Sequence, residues 1–164
     1  MLLRWRLMGT RDRETIRRWH YAGPYAFYDL EADAEDLDEF LTPPADHLYL
    51  AAVNEAGALA GYMTFAPESG TPVTLAVGLG LRPDLTGRGM GLAFLESGLA
   101  EGCARLRPGR FLLRVADFNQ RALVVYRRAG FDIVRRYIQS TNGGWYAFTE
   151  LERAARNRPE RGTV

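Results

Sequence analysis

Residues 79–92 read Leu-Gly-Leu-Arg-Pro-Asp-Leu-Thr-Gly-Arg-Gly-Met-Gly-Leu. An apolar run meets a Pro, passes through a Gly-rich loop and enters a helical pattern. That order builds an anion cradle. Glycines permit close backbone approach and positive φ. The helix that follows turns free N–H groups and its positive dipole end toward the loop. A phosphate or pyrophosphate suits such a place, although a plain tight turn has a similar composition. Spelling excludes three common phosphate binders. Gly87, Gly89 and Gly91 are spaced G-x-G-x-G, so the dinucleotide fingerprint G-x-G-x-x-G is not met. A P-loop ends in Gly-Lys-Ser/Thr, and this chain has no Lys: all 21 of its Lys/Arg cations are Arg. The same absence removes a kinase Lys, a pyridoxal Schiff base and a Ser-x-x-Lys nucleophile.

Residues 119–131 read Asn-Gln-Arg-Ala-Leu-Val-Val-Tyr-Arg-Arg-Ala-Gly-Phe. Asn119 is a good N-cap. Ala122, Val125, Tyr126 and Ala129 share a helical face, Gly130 is placed to end the helix, and Phe131 begins an apolar strand. With the two motifs in this order and one strand between them, the chain resembles the GNAT superfamily of N-acetyltransferases. The first motif is similar to that family's acetyl-CoA pyrophosphate loop, Gln/Arg-x-x-Gly-x-Gly/Ala, with Thr86 where the family has Gln or Arg. The second is similar to its Asn-x-x-Ala-x-x-x-Tyr-x-x-x-Gly-Phe helix. Residues 73–131 carry the likeness.

The resemblance implies an α/β acetyltransferase fold: a mixed, mostly antiparallel sheet, flanked by helices, whose central parallel strands splay. Residues 73–81 and 111–116 would be those strands. The pantetheine arm would fill the gap and bond to the backbone of Leu79, Gly80 and Leu81. Gly78 and Gly80 suit a bulge or a close ligand approach. The pyrophosphate would rest on the loop of Thr86, Gly87, Arg88, Gly89, Met90, Gly91 and Leu92, with Arg88 partly replacing the contact Thr86 cannot make. Asn119 would bond the pantetheine arm as well as cap its helix. Tyr126 would touch the cofactor and act as general acid: a phenol of ordinary pKa about 10 can protonate a departing thiolate of about 8.5. An N–H near Leu81 would be an oxyanion donor. The implied function is acetyl transfer to a primary amine by direct attack. A non-catalytic acyl-CoA sensor or scaffold, and a different acyl-CoA donor, are the alternatives.

The amine must lose a proton first, and residues 74–81 hold no carboxylate. The nearest acids are Asp29, Glu31, Asp33, Glu35, Asp36, Asp38 and Glu39, beside Tyr25, Phe27 and Tyr28. Asp33 reads as a helix cap and Asp36 to Glu39 as a solvated face. Asp29 and Glu31 are the candidates for acceptor binding or deprotonation, with a water chain as the other source of a base. Aromatic faces and clustered carboxylates attract ammonium groups. The expected acceptor is therefore a cationic amine on a small molecule or a peptide N-terminus. His20 and His47 read as structural, and no metal-ligand spacing is present.

These residues need a frame. The pattern predicts a strand over 2–7, then a helix opening at Thr10 or Asp12 that carries Ile16 and Trp19. A second helix runs from the cap Asp33 to Leu41. A hairpin joins 48–53 to 59–66, and the central strand is 73–81. A helix over 91–106 places Leu92, Leu95, Leu99, Cys103 and Leu106 on one face. Gly98 and Gly102 weaken that helix and suggest close packing on the sheet. Strand 111–116, the motif helix, and a hairpin of 131–139 with 145–151 about Asn142-Gly143-Gly144 complete residues 1–151 as one domain. Residues 152–164 read as a charged tail. The chain has 164 residues, 47% of them apolar, enough for a single core. Its net charge of +1 gives no case for nucleic acid. One Cys excludes an internal disulfide and points to a reducing cytoplasm. No signal peptide or membrane span is legible. The assembly, monomer or homodimer, stays open.

Overall fold

A computed structural model describes residues 1–68 and 73–156. Seven strands form one sheet: β1 (Arg4–Leu7), β2 (Leu48–Val53), β3 (Leu59–Pro67), β4 (Thr74–Leu81), β5 (Arg110–Ala116), β6 (Asp132–Thr141) and β7 (Gly144–Ala154), in the order β1-β2-β3-β4-β5-β7-β6. Every neighbouring pair is antiparallel except β4 with β5. This is the mixed sheet with one central parallel pair that the resemblance implies.

Four helices cover its faces: α1 (Thr10–Ile16), α2 (Ala34–Leu41), α3 (Gly91–Leu106) and α4 (Gln120–Arg128). α3 and α4 lie over a core of Phe65, Phe94, Leu99, Phe111 and Leu113. The opposite face carries a smaller cluster in which Ile16, Trp19 and Phe40 pack with Tyr49. Strand alternation sorts the two: Met63 and Phe65 of β3 enter the first core, while Tyr62, between them, belongs with the second.

Local chemistry explains the boundaries. Asp33 caps α2 by accepting hydrogen bonds from the N–H groups of Glu35 and Asp36, and Gly130 ends α4 at φ +87°. α1 stops at Ile16 with Arg17 as its cap, so Trp19 packs from a turn beyond the helix rather than from within it. β1 begins at Arg4, where pairing with Val53 starts. The buried stripe of α3 is Phe94, Leu95, Gly98, Leu99, Gly102 and Cys103. Leu92 and Leu106, expected on that stripe, are exposed at the helix ends. Gly98 and Gly102 do pack closely: a Cβ at Gly102 would stand 2.6 Å from the Phe65 ring, and one at Gly98 would collide with Met63. β7 runs three residues past the expected limit. Within that extension Arg153 is buried and donates to the carbonyl of Ala129 at 2.7 Å and to Glu96 at 2.9 Å. The proposed tail therefore cannot begin at residue 152, and residues 157–164 lie outside those described.

Candidate active site

The parallel pairing of β4 with β5 covers three rungs, from Thr74↔Arg110 to Ala76↔Leu112. Beyond it each strand keeps only its outer neighbour. β4 stays on β3 as far as Gly61↔Leu81, and β5 stays on β7 as far as Ala116↔Phe148. The edges of residues 77–81 and 113–116 thus face a cleft of about 520 Å³. Leu79, Gly80 and Leu81 line it from β4, Thr86 from the loop, and Asn119 and Tyr126 from α4.

Gly78 and Gly80, expected to serve a bulge or a close ligand approach, form no bulge. The register of β4 with β3 is unbroken there. A Cβ at Gly78 would lie 2.5 Å from Thr64 Oγ1, and one at Gly80 would lie 2.5 Å from the Tyr62 ring and 3.1 Å from the Tyr21 hydroxyl. The glycines make room for side chains of the neighbouring strand, which themselves line the cleft.

A tight turn at Pro83–Leu85 leads into the Gly-rich loop. Gly87 and Gly89 adopt φ of +71° and +76°, a conformation costly for side-chain-bearing residues. No side chain caps α3, so the N–H groups of its first turn remain available. A Cβ at Gly91 would stand 3.2 Å from Val125 Cγ2, which lets the start of α3 press against α4. A Cβ at Gly89 would meet nothing within 4 Å. Gly87, Arg88, Gly89 and Leu92 are exposed and Met90 is partly so; the loop is an open cradle at the end of the cleft. Thr86 donates its hydroxyl to the Pro83 carbonyl at 2.8 Å. Arg88 is not among the cleft-lining side chains, whereas Arg121 of α4 is. Its Nη1 lies 3.4 Å from where a Gly87 Cβ would be. Arg121 stands inside the second motif, yet only the fold brings it to the first.

Asn119 caps α4 through Oδ1, which accepts from the Ala122 N–H at 3.1 Å. Tyr126 is 9% exposed. Burial pushes its phenol above the ordinary tyrosine value, so it is neutral at physiological pH. Among the described residues no group hydrogen-bonds to its hydroxyl, and its ring packs near Phe131.

Acidic side chains form one wall. Asp29 lines the cleft and accepts from the Tyr21 N–H at 2.8 Å and from His20 Nδ1 at 3.0 Å. Glu31 is not part of the lining; it faces Arg17 at 3.5 Å. Asp36 and Glu39, expected on a purely solvated face, also line the cleft, beside Phe40, Tyr49 and Tyr62. Asp36 stands at the rim, still reached by solvent. Desolvation, followed by the nearby charges of Asp33, Glu39 and Glu35, raises its pKa above the ordinary value. Neither histidine is isolated: His20 pairs with Asp29 and His47 lies 3.5 Å from Glu39. Their spacing to these acids, i to i+9 and i to i−8, carried no signal. The signal for Asp36 and Glu39 was their i, i+3, i+4 spacing with the buried Phe40.

The other wall holds Arg114, Tyr137, Gln139 and Thr141. Arg114 pairs with Glu68 at 2.9 Å and Glu150 at 3.4 Å. Asp117 accepts from the Thr149 hydroxyl and serves the sheet. A strap, Gly23–Tyr28, covers the cleft. Phe27 packs on Tyr28, Phe118 and Tyr146, and its carbonyl accepts from Asn142 Nδ2 at 2.7 Å. No group of three or more His, Cys, Asp or Glu able to hold a metal occurs among the described residues. No helix among them is long and apolar enough to cross a membrane.

Comparison with known proteins agrees with this geometry. Residues 13–131 match the family described as acetyltransferase (GNAT) family. Two curated relatives are mycothiol acetyltransferases. That of Propionibacterium freudenreichii subsp. shermanii is 37% identical over 87 residues, 52% of this chain and 28% of the relative. That of Mycobacterium sp. strain JLS is 36% identical over 98 residues, 58% of this chain and 31% of the relative. The chain thus spans less than a third of the length of either. Among solved structures, the spermidine N-acetyltransferase of Vibrio cholerae in complex with CoA and spermine superposes with a TM-score of 0.77 at 15% identity, over 93% of this chain and 95% of that one. At that identity the likeness concerns the fold.

Proposed function

The chain belongs to the acetyltransferase (GNAT) family, and on that premise we propose that it transfers the acetyl group of acetyl-CoA to a cationic primary amine, on a small molecule or at a peptide N-terminus. One observation carries the reading: the open edge of β4 and the Tyr126 ring line a single cleft that the Gly-rich loop adjoins through Thr86. The chain fits acetyl-CoA. An edge of β4 that leaves β5 at Ala76 suits an extended arm. A loop of positive-φ glycines before an uncapped 16-residue helix suits a pyrophosphate.

Acetyl-CoA supplies an activated acetyl thioester. Asp29 and Glu39 hold the acceptor cation, and the rings of Tyr49 and Tyr62 flank it. Asp36, with its raised pKa, takes the ammonium proton directly or through a water. The freed amine attacks the thioester carbonyl, which is polarised by an N–H at the end of β4 near Leu81. Tyr126 gives its proton to the departing sulfur and is restored by the proton that the newly acetylated nitrogen sheds. Leu79 and Gly80 align the arm through their backbone, and Asn119 borders it. Glu31, held by Arg17 outside the lining, acts at most through the field it adds to the acidic wall.

The test is a panel of small amines and peptides with free-thiol detection. Acceptor-dependent thiol release above the hydrolysis rate is expected, greatest for cationic acceptors. Acetyl-CoA that raises the melting temperature while no amine releases thiol would leave a binding module instead. Preference for an anionic acceptor would remove the role given to the acidic wall.

A further inference from the structure

We propose that Arg121 is the side-chain ligand of the CoA pyrophosphate, supplied from α4 in place of the loop residue at position 86. The inference rests on the acetyl-CoA reading. Of the loop's own polar side chains, Thr86 donates to the Pro83 carbonyl and Arg88 stands outside the cleft lining; Arg88 and Arg121 are both exposed, and Arg121 is the one on the cleft. Arg121 lines the cleft, and its Nη1 reaches within 3.4 Å of the side-chain position of Gly87.

Two further features mark it as an anion ligand. Arg121 occupies the first turn of α4, where no acid is present. A helix N-terminus disfavours a cation and favours an anion, so nothing in the local structure rewards an Arg at this point. Other cleft or core arginines are paired: Arg114 with Glu68 and Glu150, Arg153 with Glu96. Among the described residues Arg121 has no carboxylate partner. Instead its guanidinium lies 4.1 Å over the ring of Tyr25 on the strap. Stacking uses the face of the guanidinium and leaves its N–H edge free, and that edge matches two oxygens of a phosphate. The ring fixes the side chain in advance, so less freedom is lost when the anion arrives.

Calorimetric titration with CoA and with 3′-dephospho-CoA tests the assignment without turnover. Arg121→Gln should weaken CoA binding by about 10- to 100-fold, the range for a charge-assisted contact. The thermal midpoint of the ligand-free protein should change little, because the loss of the stacking on Tyr25 offsets the removal of a cation from a helix N-terminus. The same loss should appear with 3′-dephospho-CoA, and Thr86→Arg in the Arg121→Gln background should restore most of the affinity. Binding by Arg121→Gln within about twofold of wild type would overturn the proposal. A deficit that vanishes with 3′-dephospho-CoA would also overturn it, by moving the contact to the 3′-phosphate. Wild-type protein that does not bind CoA would instead bring down the acetyl-CoA reading itself.

Discussion

Replacing Tyr126 by Phe separates chemistry from packing. The side chain is 9% exposed, and its hydroxyl has no hydrogen-bond partner among the described residues. The ring contacts survive the change. The hydroxyl is not one of the buried unpartnered side-chain atoms; it borders the open cleft that Tyr126 lines, so its removal frees no large desolvation penalty. The ligand-free variant should therefore melt within about 2–4 °C of wild type, the shift that 1 kcal/mol makes in a domain of this length. Catalysis should change far more. Loss of a general acid lowers kcat by about 10²–10⁴-fold, or roughly 3–5 kcal/mol of barrier. The Kd for acetyl-CoA should barely change. The pH profile adds a sign. The acid works when protonated, and burial holds its pKa above the ordinary value of 10, so no alkaline loss of kcat assignable to Tyr126 should appear below about pH 10. The assays are steady-state kcat with an acceptor for which chemistry limits the rate, the thermal midpoint, and a binding titration. Retention of more than about a third of kcat, against the loss expected for a general acid, would refute the acid role. A drop of about 1 kcal/mol or more in stability would show that the hydroxyl has a structural partner instead.

Other changes probe the remaining parts. Asp36→Asn should lower kcat/KM about 10²-fold or more and abolish an acidic limb that lies above the ordinary carboxylate range, with binding of acetyl-CoA unaltered; because the fold raises this pKa, the carboxylate is disfavoured at neutral pH and the variant should not melt earlier. Gly89→Glu should abolish the rise in melting temperature on adding acetyl-CoA, and Gly89→Gln, which shares the bulk and the strained φ of +76°, should lose less; equal losses would deny the site its preference for anions. Gly102→Ala places a Cβ 2.6 Å from the Phe65 ring, so overpacking of about 1–3 kcal/mol should outweigh the roughly 1 kcal/mol of helix propensity gained; urea unfolding that shows a net gain would mean the ring can yield. Tyr21, Tyr62 and Tyr126 all have pKa values raised by burial, as has the Cys103 thiol, so stability should begin to fall above about pH 8.5, where an unfolded thiol ionises, and fall more steeply above about pH 10, where unfolded tyrosines do, because only the unfolded chain releases those protons; tyrosinate absorbance that rises before unfolding would contradict this.

The readable parts were those fixed by neighbours in sequence. Asn119 and Gly130 bound α4, and the apolar run before Pro83 ends β4, because caps and turns are local events. Gly98 and Gly102 announced close packing, since a 16-residue helix tolerates two glycines only for a reason outside itself. The less readable parts depend on pairing between distant segments. Gly78 and Gly80 suggested a bulge or a close ligand approach; there is no bulge, and the crowding of Thr64 and Tyr62 on β3 against them is visible only once the register is known. Glu31 and Asp36 exchange places for a similar reason. A short turn at Leu30–Ala32 leaves Glu31 facing Arg17, while α2 carries Asp36 and Glu39 to the cleft on the side of Phe40. Arg121 was readable as a helical residue and nothing more, because its meaning lies in Gly87, 34 positions earlier.

The gap between β4 and β5 is a built feature, and one short segment holds both of its rims. Strands that part after three rungs forgo backbone hydrogen bonds worth about 0.5–1.5 kcal/mol each, so something must compensate. Tyr21 donates its hydroxyl to the Leu81 carbonyl at 2.7 Å, at the end of β4. Tyr28, seven residues on, accepts from the Ala116 N–H at 3.2 Å, at the end of β5. Asp29 then binds back to the Tyr21 N–H, and Asn142 ties Phe27 to the β6–β7 turn. Residues 21–29, the strap with its two flanks, therefore satisfy polar groups on both strands beyond the point where they part, and burial raises both phenols above the ordinary tyrosine value. Aromatic packing of Phe27 and Tyr28 on Phe118 adds to the same end. The segment that holds the donor gap open also carries Asp29 into the acidic wall and sets the Tyr25 ring beneath Arg121. The cleft, its acidic wall and Arg121 are positioned by one stretch of chain, so on the proposed function a change in any of its tyrosines should disturb both substrates together.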